Sequence, residues 1–309
     1  MIKKDTRILI CGLHKIVNRA FIRHFKKAGF INVKNTAGAS FDMLSKESTE
    51  KYFKNYNPYI VIYTGSVSGG IFANIKYPAE FIYKNIIAQT NVINSAKEFK
   101  VDRLIFFASS CVYPKNAPQP IKEGSLLTGP LEETSEAYAI AKLTGIKMCQ
   151  AYNQQYGTNF FSVIPATIYG PEDDFDLKSA HVLPALIKRF HQAKEEGKKA
   201  VVISGSGHSR REFIFVDDLV DATIFLLNSY KEGKHINIGS SKDYSINELA
   251  SIISEVVGFE GKIKNDTDKP DGIQQKLLDS EKITKLGWNP KISLREGIEI
   301  TYNWFRKNL

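Results

Sequence analysis

The sequence predicts an α/β fold built on a doubly wound parallel sheet with a smaller C-terminal region, and three observations carry that prediction. First, short apolar runs at residues 8–11, 59–64, 103–108 and 159–165 alternate with longer stretches of helical periodicity. Strands separated by helices need crossover connections, so they lie parallel with helices on both faces. Second, a further run at residues 235–238 ends at Gly239 and extends the same sheet. Third, the segments 182–197, 246–257 and 294–308 keep helical periodicity without that strict alternation, as a smaller covering region would. The division this implies is residues 1–170 for the large sheet domain and 171–309 for the rest, with a segment near 211–240 returning to the first.

Length and composition support a packed core. With 309 residues, 43% hydrophobic and 11% aromatic, the chain is neither disordered nor fibrous and builds one large or two interlocked domains. No internal repeat or low-complexity linker interrupts it. Local signals start two of the later helices: Ser245 stands three residues before Glu248, and Ser293 three before Glu296, both capping-box spacings.

The same numbers exclude several classes. The residues before Ile8 include Lys3, Lys4 and Arg7 and form no apolar leader, and no apolar run reaches spanning length, which points to a cytoplasmic protein off the membrane. Cys11, Cys111 and Cys149 are too few and too scattered for a disulfide framework or a zinc knuckle, and no histidine has metal-ligand spacing. The net charge of +9 raises nucleic acid as a partner. Its lysines, however, are spread along amphipathic helices as solvated faces, leaving only a modest field for steering an anionic ligand.

Chemistry concentrates in three places. Tyr138 and Lys142 sit four apart in a run of helix formers, on one helix face, where an ammonium favours phenolate and fits the tyrosine to exchange a proton with a substrate oxygen. Spacing alone does not suffice, since Tyr230 and Lys234 repeat it in a glycine-containing loop. The run ending at Ala108 leads into Ser109-Ser110-Cys111-Val112-Tyr113-Pro114, which places hydroxyls and a thiol just beyond the carboxyl end of a strand. Ligands of doubly wound sheets collect there, although a polar turn around a small buried thiol is the plainer alternative. His181 opens the helix at 182–190; a lone histidine is ordinarily a surface or satisfied core group, as His14, His24, His191, His208 and His235 are read here.

These segments recur together in a known order. Ser109 to Lys115, Tyr138-Ala-Ile-Ala-Lys142, Tyr169-Gly-Pro, the stretch from His181 to His191, Arg211-Glu-Phe with Asp218, Lys269-Pro-Asp-Gly272 and Leu286-Gly-Trp288 resemble the GDP-L-fucose synthase family across almost the whole chain. That family belongs to the extended short-chain dehydrogenase/reductases. The resemblance implies a Rossmann-like domain with a C-terminal substrate-binding region, and a homodimer. It implies an oxidoreductase and isomerase that takes GDP-4-keto-6-deoxymannose, or a related GDP-4-keto-heptose, through C3/C5 epimerisation and NAD(P)H-dependent C4 reduction.

Carried over residue by residue, Ser109, Tyr138 and Lys142 are the reductase triad, and Cys111 and His181 the epimerisation acid-base pair. Arg189, Arg211 and Asp271 hold the nucleotide-sugar. NADP(H) or NAD(H) is expected against Gly12, His14, Lys15, Asn18, Lys142, Pro165 and Ile168. The residue types suit the chemistry: a 4-keto group acidifies the hydrogens at C3 and C5, and inversion needs a base on one face and a donor on the other. A thiol and an imidazole that titrate near neutrality serve there, while Tyr138 protonates the C4 alkoxide and Ser109 hydrogen-bonds the same oxygen.

Four departures mark where the chain differs. The family's glycines after the first strand are spaced G-x-x-G-x-x-G; here only Gly12 remains, with Lys15 and Asn18 at the other two positions. Added side chains are expected to push a pyrophosphate outward. His14 replaces a basic residue that holds a ribose 2′-phosphate, and Asn35-Thr36-Ala37 contains no arginine, which predicts weak discrimination between NADH and NADPH. Ser204 stands for a tryptophan, and Ala166-Thr167 for a threonine-asparagine pair. Two alternatives therefore stay open: an epimerase without reductase activity, and a non-catalytic partner subunit that binds nucleotide-sugar.

Overall fold

The computed structural model describes residues 2–36, 41–65, 67, 69–177, 179–269, 271 and 273–309. Ala37, Pro270 and Gly272, which figured in the sequence comparison, lie outside the described residues.

The large sheet is set by apolar runs too short for helices. β1 (Ile8–Cys11) is followed by α1 (Lys15–Lys27), β2 (Val33–Asn35), α2 (Lys46–Tyr56) and β3 (Ile60–Tyr63). Then come α3 (Ile71–Lys76), α4 (Pro78–Glu98), β4 (Arg103–Phe107), α5 (Glu136–Tyr156) and β5 (Phe160–Pro165). β1, β3, β4 and β5 are buried at every residue, as strands covered by helices on both faces must be. β9 (Ile236–Ile238) completes a six-stranded, all-parallel sheet in the order β2-β1-β3-β4-β5-β9. The order reverses between β1 and β3, and at such a switch point the loops diverge and leave a crevice beyond the carboxyl ends.

The later part of the chain forms a second core while returning to the first. It contains β6 (Thr167–Tyr169), α6 (Val182–Glu195), β7 (Ala200–Ser204), β8 (Arg210–Phe215), α7 (Val216–Ser229), β10 (Asp243–Ser245) and α8 (Ile246–Val257). β11 (Lys262–Asp266), β12 (Gln275–Lys276), α9 (Glu281–Lys285) and α10 (Leu294–Lys307) follow. β8 is flanked by β10 and β12 and also pairs with β6; β7 pairs with β11. Leu183, Ile187, Phe190, Phe213, Phe215, Ile253 and Ile298 fill this second core. α7 instead packs on α1, and Leu226, Ile236, Leu278, Ile283 and Trp288 join the first core. The chain therefore crosses between the two regions several times, which places residues of both around one cleft.

Helix ends follow local chemistry. Ser245 caps α8 reciprocally: its Oγ accepts from Glu248 N at 3.1 Å, and its own N–H donates to the Glu248 carboxylate at 2.7 Å. At α10 only the Ser293 half forms, accepting from Glu296 N at 3.3 Å. Such a cap stabilises a helix by about 1 kcal/mol. α5 stops at Gly157, whose φ of +67° is the left-handed turn that ends helices. No described helix is long and apolar enough to cross a membrane.

Candidate active site

The turn after β4 is the centre of the site. The chain leaves the strand at Ala108, stays extended through Ser109 (φ −150°), and makes one 3₁₀ turn over Ser110–Val112. Ser109 Oγ accepts from Cys111 N at 3.4 Å, which folds hydroxyl and thiol onto the same turn. Beyond it the buried Tyr113 donates its hydroxyl to Asn237 Oδ1 at 2.6 Å, pinning the turn to β9. Ser109 and Cys111 remain half-buried, and Cys111 lines a cavity with Ser110.

α5 delivers Tyr138 and Lys142 to that turn. Lys142 is buried, its Nζ donating to Phe107 O at 3.0 Å and standing 5.8 Å from the centre of the Tyr138 ring. Gly65, with φ +103°, makes room: a Cβ there would come within 2.7 Å of Nζ. Burial pushes the ammonium down to about 8, with Cys111 opposing. The expected lowering of the Tyr138 phenol is corrected by the structure, because burial pushes it up and Cys111 adds to the rise. The ammonium stands over the ring face instead of at the hydroxyl, so loss of hydration prevails.

The thiol and imidazole also depart from the expectation that both titrate near neutrality. Burial raises Cys111, with Lys276, Ser109 and Lys142 opposing. His181 caps α6 with an extended backbone and no side-chain cap bond. Although exposed, its ring is crowded enough by protein that lost hydration lowers its pKa, with the Asp174 carboxylate opposing. At neutral pH the thiol therefore holds its proton and the imidazole is free to accept one. Asp174 accepts from Ser179 Oγ at 2.5 Å and Asp176 N at 2.9 Å, which orders the loop leading to His181.

The loop after β1 faces the same centre. Burial, with smaller contributions from His181 and Lys142, pushes His14 down to about 4, so a neutral imidazole lies within electrostatic reach of both. Gly12 has φ +135°, and a Cβ there would meet Thr64 Oγ1 at 2.3 Å and Gly65 O at 2.5 Å. Only glycine fits this cradle, which is tied across the switch point by Leu13 N to Gly65 O and Thr64 N to Cys11 O, each at 2.8 Å. The close backbone and the start of α1 suit a pyrophosphate.

Asn18 does not stand in that space. It is fully buried, donating Nδ2 to Gly12 O at 2.8 Å and accepting from Thr64 Oγ1 at 2.7 Å. Both expectations for it are thereby corrected: its side chain neither crowds the phosphates nor is free to bind them. The Lys15 side chain is exposed at the first turn of α1. Pro165 is buried at the end of β5, and Ile168 is half-buried in β6.

On the second region, Arg189 lies half-buried on α6. Arg211 Nη1 donates to Arg210 O at 2.8 Å and Ile273 O at 2.5 Å; burial lowers its pKa and Asp271 opposes. Asp271 already accepts from Ser206 N and Oγ, at 2.9 and 2.6 Å, so its carboxylate is engaged in a turn.

Sequence reasoning missed Lys276. It sits on the two-residue strand β12, in register with Arg211, and lines one cavity with Ser110, Cys111 and Glu132. It is the strongest influence favouring the Cys111 thiolate, and burial lowers its own pKa. Neither spacing nor periodicity in a lysine-rich chain singles out such a residue.

Comparison with known proteins agrees with this geometry. The model of the NAD dependent epimerase/dehydratase family matches residues 8–239. GDP-L-fucose synthase 1 of Arabidopsis thaliana is 48% identical over 309 residues, covering 100% of this chain and 96% of that protein. GDP-L-fucose synthase of Escherichia coli is 40% identical, covering 98% of this chain and 97% of that one. Among solved structures, a GDP-mannoheptose C4 reductase from Campylobacter jejuni with NADP bound superposes with a TM-score of 0.91 at 33% identity, covering 99% of this chain and 100% of that one. With the switch-point cradle, the Ser-Tyr-Lys cluster and these full-length relatives together, the chain belongs to the NAD dependent epimerase/dehydratase family and, within it, to the GDP-L-fucose synthase group.

Proposed function

We propose that this chain is a nicotinamide-dependent GDP-sugar epimerase/reductase, which inverts C3 and C5 of a GDP-4-keto-6-deoxy-hexose or GDP-4-keto-heptose and reduces C4. The observation that carries the reading is the turn after β4, where Ser109 and Cys111 share one hydrogen-bonded turn beside Tyr138 and Lys142. Cys111 and His181, holding one transferable proton between them at neutral pH, exchange the acidified C3 and C5 hydrogens. Tyr138 delivers a proton to the C4 oxygen while Ser109 donates a hydrogen bond to it. Lys142 places positive charge beside Tyr138, and Lys276 does the same for Cys111.

The dinucleotide is held by the Gly12 cradle and the start of α1, with His14, Lys15 and the Asn18 backbone around it and Lys142, Pro165 and Ile168 on the far wall. When bound in reduced form, it supplies the hydride for C4. His14 is neutral, and no lysine or arginine occurs between Lys34 and Lys46, so little charge is left to select a 2′-phosphate and both NADH and NADPH serve. Arg189 and Arg211 hold the GDP moiety, with Asp271 fixing the neighbouring turn. Residues 1–170 form the dinucleotide half and residues 171–309 mainly the sugar half, with 211–240 returning. Assembly as a homodimer in the cytoplasm belongs to the same proposal.

The test is incubation with GDP-4-keto-6-deoxymannose in D2O with either cofactor. Deuterium at C3 and C5 and one cofactor oxidised per sugar is the expected result. Deuterium without cofactor oxidation would leave an epimerase alone, and neither signal with this substrate or a GDP-4-keto-heptose would reject the reading.

A further inference from the structure

Among the described residues, Lys142 carries its charge with no carboxylate beside it. Its one hydrogen-bond acceptor among the described residues is Phe107 O at 3.0 Å. Three rings surround the rest of the ammonium, with Nζ 5.1 Å from the centre of Phe106, 5.6 Å from Tyr63 and 5.8 Å from Tyr138. A cation within about 6 Å of a ring centre is attracted to the π face, most strongly where water is excluded.

Two of these rings are fixed by the sheet. Tyr63 and Phe106 are register partners on β3 and β4, stacked with centroids 5.6 Å apart and planes 21° from parallel. Gly145 of α5 leaves room for the Phe106 ring, since a Cβ there would reach Phe106 Cζ at 2.2 Å. Tyr63 is fully buried and its hydroxyl has no partner among the described residues. Its ring face meets Lys142.

We infer that Tyr63 and Phe106 are positioning residues for the reductase pair, their stacked rings forming an aromatic seat that keeps the Lys142 ammonium charged and beside Tyr138. The inference rests on the proposed roles of Tyr138 and Lys142. The titratable groups facing Lys142 are Cys111 from the turn after β4, Tyr138 on its own helix, Tyr63 from β3 and His14 from the loop before α1. None is a carboxylate, so Cys111, the rings and one carbonyl are what oppose desolvation. Burial leaves Lys142 at about 8, where a small change in its surroundings alters its charge near working pH. Loss of a ring removes a partner of the charged form alone, so the pKa falls further.

The experiment compares wild type, Tyr63→Leu, Tyr63→Phe and Phe106→Leu by the pH dependence of C4 reduction and by side-chain NMR titration of Lys142, assigned through Lys142→Arg. Both leucine variants are expected to lower the alkaline limb and the NMR midpoint by about 1 pH unit, roughly a fivefold loss of reduction at pH 8. Tyr63→Phe is expected to restore the wild-type values. The NMR midpoint needs no turnover, so it decides the seat even if the protein reduces no GDP-4-keto sugar, a result that would remove the proposed function instead. Unchanged midpoints in both leucine variants, or a Tyr63→Phe shift as large as that of Tyr63→Leu, would overturn the inference.

Discussion

The loop after β1 and the turn after β4 both end buried parallel strands, yet they treat sequence change in opposite ways. The first keeps one glycine of three and holds its shape through a side chain: Asn18, folded inward, bonds the Gly12 carbonyl and Thr64. The second, in the proposed function, depends on side chains whose protons move, and Ser109, Cys111, Tyr138 and Lys142 are all present. A backbone site tolerates substitution where the new atoms find buried partners, whereas a proton-transfer site needs particular functional groups.

The sharpest way to break this comparison is Tyr138→Phe. It removes the donor to the C4 oxygen and leaves Cys111 and His181, so C4 reduction should fall between about a hundredfold and ten-thousandfold while deuterium exchange persists. Equal loss of both, measured on one preparation, would mean that the two half-reactions share their groups. The exchange step itself should have a broad pH plateau. Cys111 lies above its usual 9.0 and His181 below its usual 6.5, so the pair keeps a single transferable proton across the interval. Rates should fall only as the imidazole protonates below 6.5 and as the thiol ionises above 9; a limb inside that interval would contradict the buried pair.

Smaller effects belong to the first loop. Asn18→Ala should cost about 1–3 kcal/mol of stability, because a buried carbonyl and hydroxyl lose their partner. It should also weaken dinucleotide binding roughly tenfold by loosening the cradle, a loss near 1.4 kcal/mol, while GDP binding stays unchanged. Calorimetry that finds tighter binding in Asn18→Gly with full stability would return this loop to the ordinary glycine rule. Smallest of all is the preference between NADH and NADPH. With His14 neutral and no cation between Lys34 and Lys46, the two dissociation constants should agree within about tenfold; a larger gap would locate a phosphate contact elsewhere.

How much of this was legible in the sequence varied with the kind of residue. β1, β3, β4 and β5 were legible because strands covered on both faces read as unbroken apolar runs. β8 and β12 were not: β8 begins with Arg210 and Arg211, and β12 has two residues, so neither carries a period. The position of Ser109 and Cys111 at a strand end followed from patterning, and the roles proposed for them from family resemblance. Asn18 was misread because a sequence gives a side chain's volume and not its direction. Lys276 reaches Cys111 from 165 residues away through the pairing of β12 with β8, a proximity no local signal encodes.

The central claim is that one turn after β4 serves two separable half-reactions, and Cys111→Ser tests it most directly. The variant keeps the hydroxyl-lined turn and replaces a thiol with a far less acidic group. Deuterium exchange at C3 and C5 and reduction of an already epimerised GDP-4-keto sugar are to be measured on the same sample. The account predicts that exchange falls at least a hundredfold while reduction stays within about threefold of wild type; retained exchange, or loss of both activities together in a folded variant, would contradict it.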